Sequence, residues 1–296
     1  MIELSVQSKF DAPLVIGLGF FDCLHAGHRR ILFEVVKIAA ELQSIPCLST
    51  FSNNPYRMFN SDARVINTYS ERTALFELNG ITHILPFVFD SEFKRVSKDS
   101  FLDALFNAFN IRALVCGYDY LFGYKGEGDA EYLKQYAKAR GAAVVVVEPV
   151  ILDGVRVSST GIKELLEEGE IERANRYLVS PFFMRGIVAR GHGKGATINF
   201  PTANLLLKKS KLLPPDGVYK TRTTINDKVY PSATHIGPRP TFAECSRSVE
   251  THIEGIFGEL YGQEITVEFL KKLRNIKKFS SLNALANQIC KDLGGE

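Results

Sequence analysis

Leu14-Val-Ile-Gly17-Leu-Gly19-Phe20-Phe21-Asp22-Cys23-Leu-His25-Ala-Gly27-His28 is the stretch on which the fold turns. Residues 14–20 are a short apolar run ending among glycines, the pattern of a buried strand that runs into a turn. From residue 26 the apolar positions Ile31, Leu32, Val35, Val36, Ile38, Ala39 and Leu42 recur with a helical period. A strand that turns into a helix in this way opens a βαβ unit.

The alternation continues outward from there. Strands are predicted over 45–51, 81–87, 113–116 and 142–147, and helices over 70–79, 97–109 and 129–140. Gly80 and Gly141 stand where helix-ending glycines belong. A short strand over 155–157 and helices over 160–168 and 171–177, split by Gly169, follow. Such a chain builds an α/β domain, a Rossmann-like parallel sheet with helices on both faces. From Pro181 the style changes. Strands over 182–189, 217–224, 228–236, 248–253 and 264–270 lie between Gly, Pro, Asn and Asp, with one helix over 280–292. That spacing predicts a mostly antiparallel sandwich or barrel with a C-terminal helix. A chain of 296 residues divides naturally, and the expected domains are 1–180 and 181–296.

Composition excludes several classes. The chain is 45% hydrophobic and 23% charged, ordinary for a globular protein. A net charge of +3 without a basic patch argues against a nucleic-acid partner. No apolar run reaches the roughly 18–20 residues that span a bilayer, so no membrane partner is expected. The start lacks a signal peptide's basic and apolar regions. Five cysteines are scattered and never in CxxC spacing, which speaks against disulfides or zinc and for a cytoplasmic location.

The H-x-G-H of His25, Gly27 and His28 falls where a helix N-terminus meets the carboxyl end of a strand, a place that binds phosphate. Imidazoles there can give hydrogen bonds or positive charge to a phosphate in the transition state. The motif resembles the signature of the nucleotidyltransferase superfamily, which transfers a nucleoside monophosphate. That superfamily's second signature is a hydroxyl-rich turn before a helix, and Ser158, Ser159, Thr160 and Lys163 fit it. A third segment runs from Gly117 through Asp119 and Phe122 to Gly123, also at the carboxyl edge. Asp119 there either holds a ribose hydroxyl or orders the loop.

The second half has its own constellation. Gly191, Gly193, Lys194 and Gly195 make a loop whose N–H groups can wrap phosphate, though it is not a Walker A loop. Thr202 and Asn204, two apart on an extended segment, share a face and offer oxygens that suit Mg²⁺ at nucleotide phosphates. Glu250 and His252 share a strand face further on, and Glu250 is the candidate base.

Over residues 13–293 the chain resembles the bacterial bifunctional riboflavin kinase/FAD synthetase family. The resemblance rests on GFFDCLHAGH, GYDYLFG, VSSTGIK, GHGKGATINFPTANL, PPDGVY, HIGPRPTF, VETHI, LYG and LRNIKKF, in that order. It implies a nucleotidyltransferase domain followed by a six-stranded β-barrel kinase domain. It implies ATP- and Mg²⁺-dependent phosphorylation of riboflavin to FMN, then adenylylation of FMN to FAD with release of pyrophosphate. By resemblance His25 and His28 are catalytic, with Gly19, Phe20, Asp22, Gly27, Gly117 and Asp119 on the nucleotide. Ser158, Ser159, Thr160 and Lys163 hold its phosphates. Thr202 and Asn204 are the Mg²⁺–ATP pair, Glu250 the kinase base, and Phe122 and Arg274 lie on the flavin side.

The chain departs from the pattern at several points. Cys23 replaces a glycine, Lys163 an arginine, Asn54 a histidine and Ile276 a glutamate, and Ala196 and Asn199 alter the kinase loop. Two of these touch the kinase's phosphate or loop contacts. Three readings follow: a two-activity enzyme, an FMN adenylyltransferase with a weakened or inactive kinase, and a non-catalytic flavin-binding regulator. The third has little need of so many phosphate-binding motifs.

Overall fold

The structure, a computed structural model, describes residues 1–189, 202–238, 247–256, 260–277, 279 and 281–294. In chain order the first elements are β1 (Ile2–Glu3), β2 (Phe10–Leu18), α1 (Ala26–Glu41), β3 (Ile45–Phe51), α2 (Tyr69–Leu78) and β4 (His83–Phe87). Then come α3 (Lys98–Ala108), β5 (Phe109–Gly117), α4 (Ala130–Lys138), β6 (Ala143–Val147) and a hairpin, β7 (Ile151–Leu152) with β8 (Val155–Arg156). The strands other than the hairpin form one parallel sheet in the order β1-β4-β3-β2-β5-β6.

Both faces of the central strand are covered, as parallel sheets require. Leu14, Ile16 and Leu18 point into a core with Phe101, Leu105, Leu114 and Leu133. Gly17, on the other face, admits α1. A Cβ there would stand 2.5 Å from Leu48 Cδ2 and 2.9 Å from Val35 Cγ2. Only a glycine lets the helix lie that close. The chain steps from β2 to β3 and β4 on one side, then crosses to β5 and β6 on the other. The crevice beyond the carboxyl ends of β2 and β5 is therefore the topological switch point, where open α/β sheets bind ligands.

Next come α5 (Ser159–Glu168), α6 (Ile171–Tyr177), β9 (Phe183–Ala189), β10 (Thr202–Leu206), β11 (Gly217–Ile225), β12 (Lys228–Pro238), β13 (Arg247–Ile253), β14 (Glu264–Arg274) and α7 (Leu282–Leu293). The six strands close into an antiparallel barrel, β10-β13-β12-β11-β14-β9, sealed by β9 against β10. Its interior holds a chain of buried hydroxyls. Thr221 bonds Ser232 and Thr234 at 2.8 Å each, Thr223 donates to Ser232 at 2.9 Å, and Thr234 bonds Thr251 at 2.9 Å. Each hydroxyl is satisfied by a neighbour, so the polar core costs little.

The chain divides into two compact units, Met1–Ser159 and Thr160–Glu296. Helix α6 packs with the barrel. Asn175 Nδ2 donates to Phe269 O at 2.8 Å and Asn175 Oδ1 accepts from Phe182 N at 2.8 Å.

Candidate active sites

The first unit's site is built on one turn. Phe21 is buried with φ 54°, a left-handed conformation that bulky residues avoid. It brings His25 to the N-cap of α1, where an Asp or Ser usually sits; His25 Nδ1 accepts from His28 N at 3.2 Å. His28 Nδ1–H donates to the Cys23 carbonyl. The two imidazoles stack at 3.7 Å, 16° from parallel. Gly27 makes room, since a Cβ there would sit 3.0 Å from the His25 ring. Burial, then the neighbouring His28, pushes the His25 pKa down to about 2. Burial pushes His28 down to about 4, with the Cys23 carbonyl and Asp119 opposing and Arg72 assisting. Both rings are therefore neutral near pH 7. The hydrogen bonds assign their tautomers: His25 carries its proton on Nε2, and His28 carries it on Nδ1, leaving Nε2 as a lone pair.

Around the pair, Cys23 Sγ lies 3.7 Å from Ser159 Oγ, so the residue that replaces the family glycine ties this turn to the Ser158–Ser159 segment. Thr160 and Lys163 stand on α5 at the start of the second unit, Lys163 Nζ 3.9 Å from Glu167 Oε1. The Asp22 carboxylate faces inward, accepting from Ile66 N at 3.0 Å, and its carbonyl takes Asn67 N at 3.0 Å. Gly19 N donates to Ser49 O at 3.3 Å, and the Phe20 carbonyl accepts from Thr50 Oγ1 at 2.7 Å. Asp119 is exposed just past Gly117, within electrostatic reach of His28. Phe122 lies further along the same segment. It is 7% exposed, in the core between Tyr120 and Phe101. Asn54, where the family favours His, accepts from Tyr56 N at 3.0 Å and donates to Ala63 O at 3.1 Å. A ledge of aromatic rings stands beside this turn. Phe20 meets Tyr56 edge-on at 5.8 Å, and Phe89 touches Phe51 at 5.2 Å and Phe59 at 6.3 Å.

In the barrel, strand register makes the second site. Asn204 lies opposite Glu250 and Glu250 opposite His235, while Thr202 lies opposite His252. These residues occupy the face of β10, β12 and β13 away from the buried Thr234 and Thr251. Ser248 Oγ donates to Glu250 Oε1 at 3.3 Å. Burial lowers the pKa of His235, while Glu250 and Asp216 raise it and Arg274 lowers it. Arg274 itself is held by α7, its Nη2 2.6 Å and Nε 3.1 Å from the Asp292 carboxylate. Gly191, Gly193, Lys194 and Gly195, with Ala196 and Asn199, lie outside the described residues. Sequence reasoning passed over Arg72 and His235. A lone arginine on an amphipathic helix reads as a solvated face, and His235 shows its place only through strand register.

A parallel sheet with a stacked H-x-G-H pair at its switch point defines a nucleotidyltransferase, here joined to a closed barrel that sets a carboxylate beside a carboxamide and a hydroxyl. Residues 7–161 match the FAD synthetase family and residues 178–294 the riboflavin kinase family. The bifunctional riboflavin kinase/FMN adenylyltransferase of Bacillus subtilis is 31% identical, over 95% of this chain and 90% of its own. That of Pseudomonas fluorescens is 32% identical, over 94% and 90%. A solved structure described as a macrolide-efflux protein from Streptococcus pneumoniae superposes with a TM-score of 0.88 at 28% identity, over 99% of this chain and 97% of that one. The chain belongs to the bifunctional riboflavin kinase/FMN adenylyltransferase family, enzymes that make FMN from riboflavin and FAD from FMN. Its substrates are riboflavin, FMN and ATP. Among the described residues no helix is long and apolar enough to cross a membrane.

Proposed function

We propose that the two activities run on two separate sites, adenylyl transfer at the His25–His28 turn and riboflavin phosphorylation at Thr202, Asn204 and Glu250, in the cytoplasm. The observation that carries the first assignment is the stacked pair at the head of α1. In adenylyl transfer a phosphate oxygen of FMN attacks the α-phosphorus of ATP, and the bond to pyrophosphate breaks. His25 meets the phosphates with its Nε2–H. His28 arrives with a bare Nε2, takes up a proton as the triphosphate binds and becomes a charged donor. Ser158 and Ser159, tied to the histidine turn through Cys23, hold the leaving phosphates. The aromatic ledge, with Tyr56 and Phe59 exposed, offers the flavin ring an apolar floor.

In the barrel Glu250 orients the riboflavin 5′-hydroxyl and accepts its proton as the γ-phosphate is transferred. The donor set fits Mg²⁺, because the Thr202 hydroxyl and Asn204 carboxamide are neutral oxygens that would hold the ion beside nucleotide phosphates. When bound, the ion neutralises charge on the transferred phosphoryl group. Arg274 is engaged by Asp292, so it acts on the flavin side by tethering α7. The central kinase residues and their register are intact, which supports an active kinase despite Ile276. The test is to incubate the protein with ATP, Mg²⁺ and either riboflavin or FMN and separate the flavins. FMN and FAD from riboflavin are expected. FAD from FMN alone would leave a single activity, and neither product would leave a binding protein.

A further inference from the structure

Arg72, on α2, is 2% exposed, and its guanidinium reaches the carboxyl ends of β2 and β3. One Nη1 donates to the Phe20 carbonyl and to Thr50 Oγ1, both at 2.7 Å, and Nη2 donates to the Phe51 carbonyl at 2.6 Å. Thr50 in turn donates to the same Phe20 carbonyl, so a three-sided clamp closes on the residue that leads into the histidine turn. The Phe20 ring covers the cation at 4.7 Å and Tyr69 flanks it at 5.7 Å. Arg72 Nε has no hydrogen-bond partner. The Asp22 carboxylate attracts it electrostatically and favours its charged form.

A buried cation whose hydrogen bonds go to two carbonyls and a hydroxyl is costly, and an apolar side chain of similar length would pack there at less cost. Charges kept at such a cost mark functional sites. The neighbours of this one are the Phe20–His28 turn and, electrostatically, His28 itself.

We propose that Arg72 is a positioning residue of adenylyl transfer, fixing the Phe20 turn and placing a permanent positive charge behind the histidine pair. The proposal rests on the assignment of adenylyl transfer to this turn. In the empty site burial keeps the pair neutral, and the charge of Arg72 adds to this at His28. With phosphate present it adds to the field that stabilises the charge developing at the α-phosphorus.

The test compares Arg72→Lys and Arg72→Met in the full chain. FAD formed from supplied FMN is followed for kcat and the two KM values, FMN formed from riboflavin serves as the internal control, and His28 is titrated by imidazole NMR. Arg72→Met is expected to lower the FAD-forming kcat by about 10- to 100-fold with FMN formation unchanged, and to raise the His28 titration midpoint. Arg72→Lys keeps the charge and loses the fork. It is expected to leave the midpoint in place while kcat falls about 3- to 30-fold at unchanged KM. Arg72→Met with kcat within twofold of the parent, or an unmoved midpoint in a folded Arg72→Met, overturns the proposal. If Arg72→Met does not fold, Arg72→Lys decides: parental kcat, or a raised midpoint, overturns it. A parent that forms no FAD from FMN would instead overturn the assignment of the turn.

Discussion

His28→Ala is expected to remove most adenylyl transfer, by about 10²- to 10³-fold in kcat, while FMN still forms from riboflavin; FAD synthesis at the parental rate would sink the assignment. The same side chain carries a pH signature. Its pKa is near 4 in the folded chain against 6.5 for an ordinary histidine, so the unfolded chain binds more protons between those values. Stability is thus complete above pH 6.5 and falls as the solution is acidified toward pH 4. His25, at about 2, extends the loss further. Thermal melts from pH 7.5 to 4.5 check this: His28→Ala should show a shallower decline than the parent. In the barrel, Glu250→Gln keeps shape and removes the proposed base. Phosphorylation of riboflavin should slow about 10²- to 10⁴-fold, with nucleotide affinity and conversion of supplied FMN retained, as product analysis and ATP titration would reveal. His25 stands at the head of a helix and Thr202 and Glu250 on strands, the elements their surrounding sequence predicts. Arg72 was not legible in advance, because burial of a cation shows only once α2 is laid against the strand ends. Nor was the burial of Phe122, since an aromatic in a glycine-bounded loop reads equally well as core or as platform.

Elements were legible where apolar periodicity is unbroken. Strand β3 falls on the predicted 45–51, and helix α6 on 171–177. Ends drifted where chemistry changes along a strand. β2 begins at Phe10 although Asp11 and Pro13 interrupt its pattern, and β14 runs on to Arg274 through two lysines that pair with β11. β1, two residues paired to β4 at the sheet edge, has no pattern to read. The junction between α1 and the sheet depends on one missing methyl. Gly17→Ala should cost about 1–3 kcal/mol through forced displacement of Leu48 and Val35, measurable as a lower urea midpoint. An unchanged midpoint would mean the helix moves away freely.

On the scale of the whole molecule, the proposed division of the two activities between sites that share no residue predicts that FMN is released between the steps. A mixture of His28→Ala and Glu250→Gln should therefore make FAD from riboflavin after a lag, although neither variant does so alone. Failure to complement would show that FMN must pass within one chain. Cys23, Cys47 and Cys116 are each fully buried, and burial holds their thiols above the usual range. Buried, protonated thiols resist alkylation until the surrounding structure opens. Cys23, whose sulfur touches Ser159, is thus a clock set into the join between the two motifs proposed to hold phosphate. Its labelling rate counts how often that join comes apart, and saturating ATP should slow the count.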